Sequence, residues 1–262
     1  MTRFVRFAHQ GGTYWGTHES DCVRRWGGPP YAGGVSTART YALDSVTWLP
    51  PVVPGKIVAV GLNYAPHVAE SASADRIPDE PVLFLKAPTA LLAPGGTIIL
   101  PEDVGRVDYE GELGVVIGQG GRLIRPEGAA PHILGWTIVN DVTARDLQKK
   151  DKQWTRAKGF DTFCPVGPWV QTEWDLARSR LSTRVNGQVR QETTFDQMIF
   201  PVPQLIAFIS RVMTLHPGDL ILTGTPAGVG PLTSGDRVDI EVSGLGVLSN
   251  SVQLEGNRNK DI

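Results

Sequence analysis

The chain has 262 residues, of which 41% are hydrophobic and 20% charged, and its formal net charge at pH 7 is -2. A chain of this length can bury a substantial core without disulfides or a structural metal. The near-neutral charge and the scatter of Lys and Arg exclude the basic surface that nucleic-acid binding requires, and the distant pair Cys22 and Cys164 argues against a disulfide framework or a zinc site.

The first residues of the chain lack the apolar run of a signal peptide. No stretch of the sequence approaches the roughly 18 consecutive apolar residues that a membrane-spanning helix needs. Two cysteines without a partner motif also fit a reducing compartment. We therefore expect a cytoplasmic protein with neither a membrane nor a nucleic-acid partner.

Thirty glycines and twenty prolines divide the sequence into short segments. The segments between them are apolar, or alternate between apolar and polar residues, which is typical of strands. Residues 3–26 are predicted to form two strands around a turn at Gly11 and Gly12, and the prolines in residues 48–55 indicate a linker. We therefore predict a small N-terminal β subdomain over residues 1–52 and a catalytic domain over residues 53–262.

The larger unit is predicted to consist mainly of strands. One helix is clear, over residues 203–215, where apolar residues recur at helical spacing. Residues 64–76 are polar and compatible with a helix, and residues 71–79 indicate a mobile connection. The balance of elements predicts an α+β fold that is mostly β, with few helices. Strands are expected at residues 56–60, 82–85, 97–100, 112–117, 135–139, 169–171, 181–185, 219–223, 237–242 and 246–252.

Residues 108–117 hold the most specific chemical pattern. On a strand, Glu110 and Glu112 project from the same face, while Leu113 and Val115 face the other way. Two neighbouring carboxylates repel each other, and a hard divalent cation that prefers oxygen ligands, such as Mg²⁺ or Mn²⁺, relieves that repulsion. The pair alone is equally compatible with an amphipathic strand whose polar face lies in water.

Asp141 adds a third carboxylate to this pattern. It ends the apolar segment 135–140, and an acid at the mouth of a buried strand has few reasons to be there. Metal ligation is one reason, and capping of a helix that begins near Val142 is another.

His67 and Glu70 form a second candidate pair. They are three residues apart and would share a face of one helical turn. A carboxylate beside an imidazole makes the histidine more basic and can orient a water molecule, as a general base requires. Surface histidines and glutamates are also common at this spacing, so both interpretations stay open.

Three further segments are polar where a core would be apolar. Lys158 lies among small and aromatic residues in segment 154–163, as an anion-binding lysine does, and Lys86 follows an apolar strand. The backbone amides of the glycine-rich turn 222–230 and the Thr225 hydroxyl could hold a carboxylate. Each segment also has a simpler interpretation, as a lysine with its charged end at the surface or as an ordinary turn.

Taken together and in this order, these segments resemble the fumarylacetoacetate hydrolase family. Six ordered motifs are far harder to produce by chance than one, so the functional interpretations gain weight over the simpler ones. The resemblance covers residues 56 to about 253 and is carried by VGLNYAPHVAE (60–70), PVLFLKAP (81–88), DYEGELGVVIG (108–118), GWTIVNDVTARDLQ (135–148), WTRAKGFDTFCPVGPW (154–169) and LTGTPAGVG (222–230).

The resemblance implies a mixed β-roll fold of the type found in this family. It also implies one divalent ion per subunit, Mg²⁺ or Mn²⁺, with Glu110, Glu112 and Asp141 as its ligands. Members of the family are usually homodimers, so a homodimer is expected.

The resemblance further assigns His67 and Glu70 to a catalytic dyad on a lid that spans residues 64–79. Lys158 matches a position that contacts the substrate and is a candidate catalytic residue. Pro66 departs from the family pattern, in which a polar residue commonly precedes the histidine, and can shift the start of the lid helix. The candidate substrate-binding residues are Lys86, Arg145, Gln148, Gly224 and Thr225.

The activity implied is that of an enzyme on a small 2-oxo or 2-hydroxy-dienoic dicarboxylic acid. The metal would chelate the 2-oxo acid, and the resulting enolate permits isomerisation, decarboxylation or hydrolytic C–C cleavage. The chain looks most like the bacterial 2-hydroxyhepta-2,4-diene-1,7-dioate isomerases and related decarboxylases of aromatic catabolism.

Two alternatives within the family stay open, because acylpyruvate (fumarylpyruvate-type) hydrolases and oxaloacetate decarboxylases share nearly all of these motifs. A third alternative, from another class, is a non-catalytic metal-dependent binder of oxo acids. Such a binder would have no use for His67 and Glu70, whose presence counts against it.

Overall fold

The computed structural model describes residues 1–70 and 76–257. Strands dominate these residues, which confirms the predicted α+β fold that is mostly β. The helices are α1 (Ala65–Glu70), α2 (Arg145–Asp151), α3 (Thr155–Gly159) and α4 (Val202–Val212). The strands are β1 (Arg3–His9), β2 (Gly12–His18), β3 (Cys22–Trp26), β4 (Ser36–Ala42), β5 (Thr47–Leu49), β6 (Ile57–Gly61), β7 (Val82–Lys86), β8 (Leu91–Leu92), β9 (Thr97–Leu100), β10 (Val107–Tyr109), β11 (Gly111–Ile117), β12 (Ile133–Asn140), β13 (Thr143–Ala144), β14 (Cys164–Gln171), β15 (Arg180–Val185), β16 (Gln188–Thr194), β17 (Leu220–Leu222), β18 (Gly230–Pro231), β19 (Arg237–Val242) and β20 (Gly246–Leu254).

The strands form three sheets. The largest has the order β4-β3-β2-β1-β14-β12-β11-β17-β6-β7, with β5 paired to β1 and β8 paired to β14. A five-stranded sheet has the order β16-β15-β19-β20-β9, and a small sheet has the order β13-β10-β18. The pairs β6–β17, β8–β14 and β9–β20 are parallel, whereas the other pairs are antiparallel, so the architecture is mixed as predicted.

β11 lies inside the largest sheet, between β12 and β17, and all seven of its residues are buried. Leu113 and Val115 belong to the core cluster that also contains Ile240 of the five-stranded sheet. Val116, on the opposite face, belongs to a second cluster with Val139. Because both faces of β11 are covered, the alternative of an amphipathic strand with its polar face in water is wrong.

The N-terminal strands continue the largest sheet through the pairing of β1 with β14, in which Arg3 lies opposite Gln171. The predicted linker 48–55 is wrong at its start, since Thr47–Leu49 form β5 and pair with β1. Trp48 packs against the buried Phe7, and an aromatic residue in such a partly buried position favours a strand. The division into two units at residue 52 stays a prediction.

The predicted long helix is confirmed as α4, where Leu205, Ile206 and Ile209 are buried. It ends at Val212, before the predicted end at residue 215, because the backbone of Met213 is extended (φ -142°, ψ 147°). The other helices, α1 to α3, have five to seven residues each; α1 and α2 come after strands β6 and β13, and α3 comes after α2. Of the helices in the described part of the chain, none has the length and apolar character needed to cross a membrane.

Candidate active site

Three carboxylates meet where β11 begins and β12 ends. Glu110 immediately precedes β11, Glu112 is its second residue, and Asp141 immediately follows β12. The register pairs Gly111 with Asn140, which brings these positions side by side. One carboxylate oxygen from each of the three acids lies within 4.8 Å of the other two.

All three acids are buried, with 4%, 2% and 1% of Glu110, Glu112 and Asp141 exposed. Lys158 Nζ donates to Glu110 Oε2 at 2.8 Å and to Asp141 Oδ2 at 2.6 Å. Lys86 Nζ donates to the other Asp141 oxygen, Oδ1, at 2.6 Å. The helix-cap interpretation of Asp141 is therefore wrong, because its carboxylate faces two lysines and the next helix starts at Arg145.

The three carboxylates differ in how well their charge is compensated. Burial raises the pKa of Glu110, but the charges of Lys158 and Arg145 outweigh it and hold this pKa well below its usual value. Burial and the negative charges of Asp141 and Glu110 instead raise the pKa of Glu112 well above its usual value. Glu112 Oε2 accepts one hydrogen bond, from the Gly224 N–H at 2.7 Å. Of the three carboxylates, Glu112 is the one whose ionised form a bound cation would stabilise most.

The donor set fits a hard divalent cation. It consists of oxygen atoms only, from three acids that are close enough to share one ion. Burial, and after it the negative charges of Asp141 and Glu110, raise the pKa of Glu112, and a cation would oppose both effects. The predicted ligand set therefore lies together in space, in a form that can bind Mg²⁺ or Mn²⁺.

A network of polar residues lies next to the carboxylates on α2. The Arg145 guanidinium pairs with Glu110 and donates through Nε to Asp108 Oδ2 at 2.8 Å. Its Nη1 donates to Gln148 Oε1 at 2.9 Å. Asp108 is 1% exposed and also pairs with Arg106 at 2.6 Å. Arg145 is therefore held on both sides, with its positive charge beside the acidic cluster.

The predicted dyad lies on α1. His67 Nδ1 lies 2.9 Å from Glu70 Oε1, and both oxygens of Glu70 accept from the Gly228 N–H, at 3.0 and 3.1 Å. Pro66 is the second residue of α1, in the first turn, where its missing N–H removes no helical hydrogen bond. The departure at Pro66 is thus compatible with the dyad. Residues 71–75 of the predicted lid lie outside the described residues, and movement of the lid stays a prediction.

The three carboxylates and His67 of the dyad line one pocket. Its apolar wall includes Phe84 and Trp154, whose rings meet edge to face at 5.2 Å between centroids, and Lys158 Nζ lies 4.8 Å from the Phe84 ring centre. The predicted residues that line the pocket are His67, Glu110, Glu112, Asp141, Arg145, Gln148, Lys158 and Thr225.

Three other predicted site residues lie behind this lining. Glu70 contacts His67, Gly224 contacts Glu112, and Lys86 contacts Asp141. Lys86 is 2% exposed and also donates to the Val142 carbonyl at 3.2 Å. Its position therefore favours holding Asp141 over the predicted contact with a substrate.

Gly224 has a structural reason to be glycine. Its φ is +97°, and a Cβ at this position would lie 2.7 Å from Asn63 Cβ. Asn63 itself is fully buried and was not predicted as a site residue. Its side chain donates to the Thr223 carbonyl at 2.7 Å and accepts from the Phe200 N–H at 2.8 Å, so it anchors the segment just before α1.

Sequence reasoning also missed Gln191, which lies on β16 and contacts the pocket residue Thr225. Its side chain accepts from the Gly111 N–H and donates to Thr225 Oγ1. Five of the seven residues of β16 are exposed, including Val189 and Arg190. A polar residue on a mostly exposed strand is ordinary, so the sequence carries no signal that Gln191 is internal.

These features define a mainly β protein with a buried acidic centre beside a hydrogen-bonded histidine–glutamate pair. Residues 56–253 match the family described as "Fumarylacetoacetate (FAA) hydrolase C-terminal", and residues 2–51 match "Rv2993c-like, N-terminal". The chain belongs to the fumarylacetoacetate hydrolase family, which confirms the resemblance drawn from its motifs.

Individual members of the family are also similar to this chain. The chain is 48% identical over 230 residues to protein Rv2993c of Mycobacterium tuberculosis, covering 87% of this chain and 86% of that protein. It is 43% identical over 225 residues to the oxaloacetate tautomerase YisK of Bacillus subtilis, covering 81% and 75%. The solved structure of 2-hydroxyhepta-2,4-diene-1,7-dioate isomerase from Mycobacterium marinum matches with a TM-score of 0.90 and 43% identity, covering 98% of this chain and 100% of that one.

Proposed function

We propose that the chain is a metal-dependent enzyme that isomerises a small 2-oxo dicarboxylic acid by moving a proton away from the carbon next to the carbonyl. The observation that carries the proposal is that the acidic cluster and His67 line the same pocket. The names of two relatives, an oxaloacetate tautomerase and a dienedioate isomerase, state reactions of this type.

Glu110, Glu112 and Asp141 would hold the ion, which we propose to be Mg²⁺ or Mn²⁺. When bound, such an ion supplies Lewis-acid chemistry that stabilises negative charge on a carbonyl oxygen. The protein adds fixed positive charge at the same place, because Arg145 and Lys158 both pair with Glu110 and line the pocket. An anionic ligand therefore meets donors that are already oriented.

His67 is placed to move the proton. Glu70 occupies Nδ1, so exchange with a ligand in the pocket takes place at Nε2. The Gly228 amide fixes the Glu70 carboxylate, and this in turn fixes the orientation of the imidazole ring. Removal of a proton from the carbon next to the carbonyl gives an enolate. Return of the proton at the other end of the enolate gives an isomer of the same mass.

The wall formed by Val60, Phe84 and Trp154 favours isomerisation over hydrolysis. These residues are apolar and line the same pocket as the charged groups. An apolar wall keeps bulk water away from a reacting carbon, and water is the co-substrate that hydrolytic C–C cleavage needs. Decarboxylation would need no water, so product analysis must separate it from isomerisation.

NMR product analysis tests the proposal. EDTA-treated protein would be incubated with oxaloacetate, an acylpyruvate and a 2-hydroxydienedioate, each with and without Mg²⁺ or Mn²⁺. We expect metal-dependent interconversion of isomers by the wild type and its loss in Glu110→Gln. The exposed Glu127 lies outside the pocket, so Glu127→Gln, which makes the same chemical change, should keep full activity.

The products decide between the alternatives. Two fragments that together contain one added water would identify a hydrolase, and CO₂ would identify a decarboxylase. Metal binding and thermal stabilisation by oxalate, without turnover of any of the acids, would identify a binder.

We also propose that the protein is a cytoplasmic homodimer without a nucleic-acid partner. Light scattering of the purified protein tests whether it is a dimer.

A further inference from the structure

The Thr225 hydroxyl already makes two hydrogen bonds inside the protein. Its Oγ1 lies 3.0 Å from the Gly111 carbonyl oxygen and 2.8 Å from Gln191 Nε2. A carbonyl oxygen only accepts, so the hydroxyl donates its single proton to Gly111. An amide nitrogen only donates, so Thr225 Oγ1 accepts from Gln191.

The orientation of the Gln191 amide is fixed by two backbone groups. Its Oε1 accepts from the Gly111 N–H at 3.0 Å, and its Nε2 also donates to the Pro226 carbonyl at 2.9 Å. A flipped amide would place oxygen against oxygen at Pro226 and hydrogen against hydrogen at Gly111. Gln191 is 1% exposed, so water does not replace the lost bonds and the flip is costly.

The direction of both Thr225 bonds follows from this arrangement. A hydroxyl has one proton and two lone pairs. The proton is used at Gly111 and one lone pair at Gln191, which leaves one lone pair of Thr225 for a ligand. Thr225 lines the pocket, but in this arrangement it has no proton to offer. The predicted role of its hydroxyl as a donor to a carboxylate is therefore not what the geometry favours.

We infer that Gln191 is a positioning residue that fixes Thr225 as a hydrogen-bond acceptor, so that the pocket favours the hydroxyl-bearing (enol or 2-hydroxy) form of its acid over the oxo form. The inference rests on the proposed function, since it concerns which form of the proposed substrate is recognised. Arg145 and Lys158 supply donors for the carboxylates of such an acid. Thr225 supplies the complementary acceptor.

Calorimetric titration with a matched pair of stable acids tests the inference. The protein, saturated with Mg²⁺, would be titrated with 2-oxoglutarate and with each enantiomer of 2-hydroxyglutarate. In Thr225→Val we expect the better-bound hydroxy acid to lose about five- to tenfold in affinity, as for one hydrogen bond, and 2-oxoglutarate to change by less than about twofold. Thr225→Ser keeps the acceptor and should keep the wild-type preference.

Gln191→Leu gives an independent test of the positioning role. Without the amide, the Thr225 hydroxyl is free to rotate and donate, so the preference for the hydroxy acid over the oxo acid should shrink by about five- to tenfold. The ratio of two dissociation constants measured on one sample does not depend on the fraction of protein that is folded. A variant that is merely less stable therefore leaves this ratio at its wild-type value, which would contradict the positioning role.

The outcomes separate this inference from the proposed function. If Thr225→Val weakens 2-oxoglutarate as much as the hydroxy acid, Thr225 donates and the inference is wrong, while the pocket remains a site for oxo acids. If neither acid binds to the metal-loaded wild type, the proposed substrate class is wrong and the inference falls with it.

Discussion

The acidic cluster and the dyad face the same pocket but are built in opposite ways. The cluster lies where β11 begins and β12 ends, both of which are central strands of the largest sheet, and two lysines from other elements hold it. The dyad lies on α1, a helix of six residues, which is too short to be stable without contacts to the rest of the protein. The charge of the cluster is therefore preorganised, whereas the proposed proton-transfer residue His67 lies on a short helix.

The attachment of α1 can be traced to two points. Before the helix, Leu62 has a positive φ of 60°, which is strained for a leucine, and Asn63 bonds to the Phe200 and Thr223 backbones. At its end, Glu70 accepts from the Gly228 N–H. Substitutions in the two regions should therefore have separable effects: on metal binding in the cluster, and on turnover alone in the dyad.

The largest effect is expected from Glu112→Gln, because it removes the carboxylate whose charge is least compensated. We expect the calorimetric heat of Mn²⁺ binding to disappear and turnover to fall by more than about 10³-fold. Glu127→Gln is the matched control, since it removes an exposed carboxylate outside the pocket. Retention of tight metal binding by Glu112→Gln would show that Glu112 is not a metal ligand.

The second-largest effect is expected from Lys86→Met, which should lower the free energy of unfolding. Its ammonium is buried and paired with Asp141, and removal of one partner of a buried pair costs about 3–5 kcal/mol when the other charge is left alone. Lys158 still pairs with Asp141 in this variant, so the loss of stability should be at or below the lower end of that range. Because Asp141 is a proposed ligand, metal affinity should also fall by about 10–100-fold. Urea denaturation and calorimetry measure the two effects. The exposed Lys149 offers a control, as Lys149→Met removes a lysine without a buried partner.

The dyad should show the reverse pattern. We expect His67→Asn and Glu70→Gln to lower kcat by about 10²–10⁴-fold, the range typical of a lost general acid–base group. Neither side chain bonds to the carboxylate cluster in the described part of the chain, so metal affinity should stay within about twofold. An equal loss of metal affinity in these variants would show that the two regions are one unit.

Much of the fold was predictable because glycine and proline separate short apolar segments. The buried strands β6, β11 and β12 and the helix α4 lie close to their predicted residues. β5 was missed because prolines follow it at once, and its strand character depends on pairing with β1, which is distant in sequence. Pairing partners of this kind are not encoded in local periodicity.

The site was predictable where function requires a pattern within one segment. Glu110 and Glu112 alternate on one strand, and His67 and Glu70 lie one helical turn apart, so sequence spacing predicts their proximity. Lys86 was placed against the substrate because the sequence does not show which side of Asp141 it would reach. Gln191 had no signal, since its contacts arise only when β16 of the second sheet packs on the 222–230 turn.

The smallest expected effect is a pH dependence of stability in the metal-free protein. The pKa of Glu112 is raised in the folded state, so its stabilising contribution is complete below the unfolded value of about 4.3 and is lost as the pH rises through the folded value. Glu110, whose pKa is lowered, is ionised throughout this window and adds no slope. The free energy of unfolding in EDTA should therefore fall as the pH rises above about 5, by at most about 1.4 kcal/mol per pH unit. Glu112→Gln should flatten this fall, as should Mg²⁺ in the wild type, because each removes the penalty for ionising Glu112. Urea denaturation at several pH values measures the slope, and a wild-type slope equal to that of Glu112→Gln would show that the charge in the cluster is already balanced without a metal.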